Sequence, residues 1–313
     1  MRFLALVSRF FIVGLFIPAW TYTTHAEGEQ QEPVTVAQAE APKVSAVQSI
    51  KEAPTFLTKK DITRKERIAL KKQYRHLTSG KVLKGLSEPE LRTVADISIT
   101  LGWYDDALNF LKKLEKKTKN TTVVKNVKLE IADITFQEGN LKGAAKLYDE
   151  YINLYPGDKE KAAYAKYKGI LSNFYSMLQQ DRDQTATHKT IALADAFLEG
   201  NNTIFKKYAY DVESIKYHCQ TRLYEHDVVV FDFYLKKQSF KAAEKRLASM
   251  RGSLLPKRSD LEPKFLECEL RLAQAQRDEP RITRISQELT TRFPEEVRLA
   301  QAKKAIPNYV ARF

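Results

Sequence analysis

The chain has 313 residues, 43% apolar and 29% charged, with only 11 Gly and 11 Pro. That composition excludes a disordered, collagen-like or turn-rich β protein and leaves ample length for a buried core. The net charge of +13 is uneven, with +2 on residues 1–26, −3 on 27–58 and +14 on 59–313, and so basic a body suits acidic partners or anionic headgroups.

Residues 1–26 read as an export signal. Arg2 supplies the positive start, "FFIVGLFIPAW" (10–20) the apolar stretch, and "THA" (24–26) the small residue at the cut. The apolar stretch is short for a membrane span, so cleavage at Ala26 is expected over a retained anchor. Residues 27–58 are Gln-, Ala- and Pro-rich; Pro33, Pro42 and Pro54 interrupt any helix, and a flexible acidic tether is expected.

From Lys59 onward the pattern is helical, with short loops and no convincing strand alternation. "DVVVF" (227–231), the one β-branched run, lies within a longer stretch of helical period. "GWYDDA" (102–107) is echoed by "GNLKGA" (139–144) and by "QSFKAA" (238–243), 37 and 99 residues after the preceding copy. Each has a small or polar first residue, an aromatic or Leu two places on, and Ala at the sixth place. Pro156, Pro256 and Pro294 close units. A period near 34 with this grammar predicts stacked helical hairpins of the tetratricopeptide kind.

In "GNLKGAAKLYDEYINLYP" (139–156), Gly139 ends the first helix in a left-handed conformation and Leu141 fills the elbow. Ala144 permits close approach, and Tyr148 and Tyr151 continue the buried stripe. In the preceding unit Leu91, Val94 and Ala95 pack the first helix, and Ala107, Leu111 and Leu114 the second. In the "QSFKAA" unit the stripe is Ala243, Leu247 and Met250. Two poorer units fit between Pro156 and Gln238, with an insertion around "QQDRDQTATHK" (179–189), and a degenerate last unit ends at Pro294. The expected architecture is all-α, a right-handed tetratricopeptide superhelix of about five hairpins over residues 59–313.

Catalytic and metal chemistry find little support. Asp105 and Asp106 are adjacent and diverge, whereas carboxylate-pair catalysis needs two groups converging about 5–9.5 Å apart. At a helix start their charge instead meets the positive end of the dipole. His218 and His226 are eight residues apart, about 12 Å along a helix, too far to share one ion with Cys219. No HExxH, GxSxG, phosphate-loop or GxGxxG pattern occurs. No enzyme activity, cofactor or metal is expected. Cys219 and Cys268 are expected as two separate buried thiols. "DRDQ" (181–184) reads as a set of salt bridges within its loop, and "KKLEKKTKN" (112–120) as a solvated helix end.

A hairpin superhelix exposes a groove for extended or helical peptides. The first-helix positions expected to face it are Arg92, Asp96 and Ile99, then Asn126, Leu129, Asp133 and Phe136.

Beyond Pro156 the motifs become more specific. "YINLYP" (151–156) has an aromatic-x-x-Leu-x-Pro ending. Tyr164, Tyr167 and, one place early, Gly169 follow, then Asp181, Arg182 and Asp183, then "RLYEHDVVVFDFYLKKQSFKAAEKRL" (222–247). Over roughly residues 85–300 this order resembles the BamD family, periplasmic tetratricopeptide subunits of the outer-membrane β-barrel assembly machine. The resemblance implies N-terminal repeats that receive C-terminal segments of unfolded outer-membrane proteins. It also implies C-terminal repeats that dock on the last POTRA domain of the BamA-like barrel subunit, alongside other assembly subunits. Lys237, Lys245 and Arg246 are the docking residues it suggests. The implied place is periplasmic, peripheral to the membrane at the inner face of the outer membrane, with no nucleic-acid partner. The sequence departs from the family in having no lipid-attachment Cys near residue 26. The competing functions are a periplasmic tetratricopeptide scaffold of cell division or peptidoglycan synthesis, and the superhelical part of a lytic transglycosylase, for whose catalytic domain too few residues follow 294.

Overall fold

A computed structural model describes residues 62–79, 85–200 and 203–298. The expected signal at 1–26 and tether at 27–58 lie outside the described residues. Eleven α-helices run through them: α1 Arg64–Thr78, α2 Glu88–Leu101, α3 Tyr104–Lys117, α4 Thr121–Gln137, α5 Leu141–Leu154 and α6 Lys159–Tyr175, then α7 Thr185–Leu198, α8 Thr203–Lys236, α9 Phe240–Ser253, α10 Glu262–Gln276 and α11 Glu279–Arg292. No strand occurs among the described residues. Each helix packs chiefly on its neighbours in the chain. The pairs α2–α3, α4–α5, α6–α7, α8–α9 and α10–α11 are five successive hairpins, so the fold is all-α and of the tetratricopeptide kind.

Local chemistry sets the hairpin boundaries. Ser87 opens α2 with a reciprocal capping box: its hydroxyl oxygen accepts from the Glu90 amide, and the Glu90 carboxylate accepts from the Ser87 amide at 2.7 Å. Side chains of Asn120, Asn140, Asp158 and Asp278 cap α4, α5, α6 and α11. Asp105 and Asp106 lie in the first turn of α3. The adjacent pair is thus part of an elbow.

Four of the five elbows share one backbone device. Gly102 (φ 78°), Gly139 (φ 81°), Gln238 (φ 54°) and Arg277 (φ 58°) all take the left-handed conformation. In each, that residue donates its amide to a carbonyl three back, and the next residue donates to one five back, as in Trp103 to Ser98 and Ser239 to Tyr234. This is the Schellman closure. Five places after each left-handed residue comes the position that approaches the partner helix: Ala107, Ala144 and Ala243, all fully buried, and in the last hairpin the half-buried Ile282. Gly supplies the conformation without steric cost at two elbows; Gln238 and Arg277 carry a side chain into a region that costs about 1–2 kcal/mol. Gln238→Gly is therefore expected to raise stability by up to about 1 kcal/mol, and Gly102→Ala to lower it by a similar amount. Urea titrations of the two variants, moving in opposite directions from the parent, check this.

The third hairpin differs. Its helices are joined by residues 176–184, where the buried Gln184 amide donates to the carbonyls of Gln179 (3.0 Å) and Arg182 (2.9 Å) while its oxygen accepts from Thr187. Asp183 accepts from both amide and hydroxyl of Thr185. The expected salt bridges within "DRDQ" are absent among the described residues, and an amide pins the loop instead. The two poorer units expected before Gln238 resolve into this hairpin and the 34-residue α8. Within α8 no residue takes the left-handed conformation, so the helix runs on for about 50 Å. Its first part packs in a core with Tyr148, Tyr151 and Phe197, and its later part in one with Leu247, Met250 and Phe265.

Candidate functional site

The first helices of the hairpins are tied to one another through one face. From α2 the Arg92 guanidinium makes a fork on Glu130 of α4 (2.5 and 2.9 Å) and also holds Asp96 on its own helix at 2.8 Å. From α6 the Lys161 ammonium donates to Asn126 at 2.5 Å, and the Tyr164 hydroxyl donates to Asp133 at 2.8 Å, both on α4. Tyr167 of α6 stacks on Tyr208 of α8, with ring centres 4.8 Å apart and planes at 11°. On α4 the residues taking part are Asn126, Glu130 and Asp133, spaced four and three apart, which places them on one side of the helix.

Three of the seven residues expected in the groove, Arg92, Asp96 and Asn126, are in this face as accessible polar groups. Ile99 and Leu129 are half-buried and pack against the cores of the first and second hairpins. Asp133 turns inward, where one carboxylate oxygen accepts from both Tyr148 (2.5 Å) and Tyr164 (2.8 Å). Burial pushes its carboxyl above the ordinary range, against the pull of the two phenols and of Lys168. Phe136 is a correction: it is 5% exposed and belongs to the core, with the Lys168 ammonium 4.0 Å above its ring and Tyr175 beside it. It shares that core with Ala165, Ile170 and Leu171 of α6.

Lys168 is itself fully buried, and burial lowers its ammonium to about 8, with Asp133 pulling the other way. Asp133, Tyr148, Tyr164 and Lys168 thus form a polar cluster under the face, built from α4, α5 and α6. The residues not foreseen are Glu130, Lys161, Lys168 and Tyr208. Glu130 carried a usable signal, standing one helical turn from both Asn126 and Asp133. Burial pushes its carboxyl up while Arg92 opposes the rise.

At the C-terminal end Lys237 and Lys245 are exposed, but Arg246 is bound within its own hairpin, donating to Asp227 of α8 at 2.9 Å. Beside them Val229 (40% exposed) and Phe233 (56%) lie one turn apart on α8, and Lys237 follows one turn later. The imidazoles of α8 go to separate partners: His226 meets the Gln180 carbonyl at 2.6 Å, while the His218 ring lies against Phe174 and Tyr217. Cys219 and Cys268 are buried free thiols, and burial pushes the Cys219 thiol up to about 12. A cleft of about 330 Å³ lies between α5, α6 and α7, lined by Ile152, Gly169, Leu193 and Phe197 among others.

Such a face offers a guanidinium fork, carboxylates, an amide and half-buried tyrosines. No described helix is long and apolar enough to cross a membrane. A comparison with curated proteins returns no match. A family model described as YfiO, outer membrane lipoprotein, matches residues 87–253, from the cap of α2 to the end of α9 and more than half of the chain. That match spans the first four hairpins, and the chain belongs to the YfiO family of outer membrane lipoproteins.

Proposed function

We propose that the protein is a BamD-like assembly factor for outer-membrane proteins that binds without chemistry. The tied face of α2, α4 and α6 receives C-terminal segments of unfolded β-barrel clients. The fourth hairpin docks on the soluble POTRA region of a BamA-like barrel subunit. The family match over the four hairpins that contain both surfaces carries this reading. For the client surface, support comes from Arg92, Asp96 and Asn126 beside half-buried Ile99 and Leu129, which suits a peptide with an aromatic end and polar flanks. For the docking surface, support comes from exposed Val229, Phe233 and Lys237 at one-turn spacing and from exposed Lys245 on α9. Arg246 enters this surface as the partner of Asp227, setting how α9 lies on α8. Its periplasmic place at the inner face of the outer membrane is part of the same proposal.

The test is copurification from envelope membranes. Phe233→Ser combined with Lys237→Glu is expected to lower recovery of the barrel subunit by tenfold or more, since exposed aromatic anchors dominate such contacts and each about 1.4 kcal/mol is a factor of ten. Arg246→Glu is a poorer probe, because it sets a second carboxylate beside Asp227. Recovery unchanged in the double variant, or a parent protein that brings down division and cell-wall synthesis proteins, overturns the proposal.

A further inference from the structure

Helix α1 precedes the family-matched residues, and the five hairpins do not explain its composition. Arg64, Lys65, Arg67, Lys71, Lys72 and Arg75 face a single carboxylate, Glu66, within fifteen residues. The helix is built to stay. Thr63 and Glu66 close a capping box at its start. Tyr74 packs edge-on to Trp103 at 5.0 Å and donates its hydroxyl to Asp106 at 2.8 Å. Leu77 joins the core of the first hairpin. Helical spacing then turns Arg64, Lys65, Ile68, Lys72 and Arg75 away from that contact, and all five are exposed, Ile68 by 61%, while Lys71 lies at the edge with its ammonium 5.8 Å over the Trp103 ring.

Elsewhere among the described residues many cations are paired, although exposed lysines such as Lys112, Lys116 and Lys119 are not. Arg92, Lys128, Arg246, Arg258, Arg271 and Arg292 each meet a carboxylate. Among the described residues no α1 cation is within ion-pair distance of one. A row of uncommitted cations around one protruding aliphatic side chain fits the boundary between headgroups and acyl chains, where phosphates meet the cations and the apolar residue enters the boundary. An acidic protein surface would satisfy the cations but leave Ile68 facing charge.

We propose that α1 is a membrane-surface element that lays its basic face on anionic phospholipid, with Ile68 inserted at the headgroup boundary. This goes beyond the assembly role and does not depend on it. The anchoring through Tyr74 and Asp106 would then fix how the first hairpin stands relative to the bilayer.

Sedimentation of the full chain with vesicles of neutral phosphatidylcholine, and with vesicles containing roughly 30 per cent phosphatidylglycerol, tests it. Binding to the anionic vesicles is expected to exceed binding to neutral ones and to fall steeply with added salt. Replacing Lys65, Lys72 and Arg75 by Gln, which keeps helix propensity, is expected to lower anionic binding roughly a hundredfold, about fivefold per cation, with neutral binding unchanged. Ile68→Ser is expected to lose a further several-fold with the salt slope retained. The same three-charge removal at the exposed Lys112, Lys116 and Lys119 is expected to change little, whereas an equal loss there would make net charge the cause and overturn the proposal. So would parent binding indifferent to salt or lipid charge, a triple variant that binds as the parent does, or an Ile68→Ser variant with no loss.

Discussion

Replacing Lys168 with methionine is expected to raise the unfolding free energy at pH 7 by about 1–2 kcal/mol, an advantage that shrinks toward zero near pH 10. The ammonium is fully buried, and burial lowers it from the usual 10.5 to about 8. The unfolded chain therefore holds this proton more tightly than the folded one. Below pH 8 both states are protonated and the folded state bears the whole penalty, on the order of 3 kcal/mol for a shift of that size. Between pH 8 and 10.5 the folded state releases its proton first, so the contribution to stability rises with pH. Methionine fills the same space, keeps helix propensity and places sulfur near the Phe136 ring. Part of the gain is offset because the ammonium's contact with the Phe136 ring, 4.0 Å away, is lost, which is why the expected figure is smaller than the full penalty. Urea titrations of both proteins at pH 7 and about 10 decide it. A gap of the same size at both values, or a variant less stable at pH 7, would show that attraction within the cluster outweighs burial.

Why a sequence reading should find the hairpins yet miss this cluster is a question of range. The elbow at Gly102 is legible because every part of it is local: a left-handed residue, an aromatic two places on, an Ala three further. Gly139 repeats it. The fourth and fifth elbows are harder, because Gln238 and Arg277 hold the same positive φ without glycine, and only the small residue at 243 marks the first of them. The length of α8 was hidden by the opposite effect: the family period suggests a break before Gln238, but nothing in "YHCQTRLYEHDVVVFDFYL" supplies one. Helix α1 carries no repeat grammar, and what holds it is Tyr74 on Asp106, 32 residues away.

The groove residues show the same limit more sharply. Asp96 and Asp133 occupy equivalent places, six residues before Gly102 and Gly139, so repeat register assigns them one role. Their surroundings separate them. Asp96 is exposed and held by Arg92, one turn before it on α2, whereas Asp133 is covered by Tyr148 and Tyr164 from the next two helices. Register locates a side chain on its helix. What covers it depends on residues one repeat further on.

Phe136 is where the two readings give opposite results. A groove aromatic would leave stability untouched when truncated and would weaken capture of a client peptide. As a core residue beneath Lys168 and beside Tyr175, its truncation removes a ring from a fully packed site and leaves the ammonium above a void. Phe136→Ala is accordingly expected to cost about 3–5 kcal/mol, lowering the melting temperature by on the order of 10 °C in a domain of this size. Ile99, its repeat equivalent, is only half-buried, and Ile99→Ala is expected to cost less than half as much. Thermal melts of the two variants supply the ratio, and binding of a β-barrel C-terminal peptide at a temperature where both remain folded supplies the second axis. If Phe136→Ala melts with the parent while peptide affinity drops, the ring faces the groove after all and the assignment of Asp133, Tyr148, Tyr164 and Lys168 to an interior cluster fails with it. If stability drops and the residual folded protein binds the peptide normally, recognition belongs to the accessible residues of the tied face. Substitutions at Asp96 and Asn126 should then change affinity without a comparable loss of stability, since these are exposed groups whose exchange shifts stability by only about 0.5–1 kcal/mol.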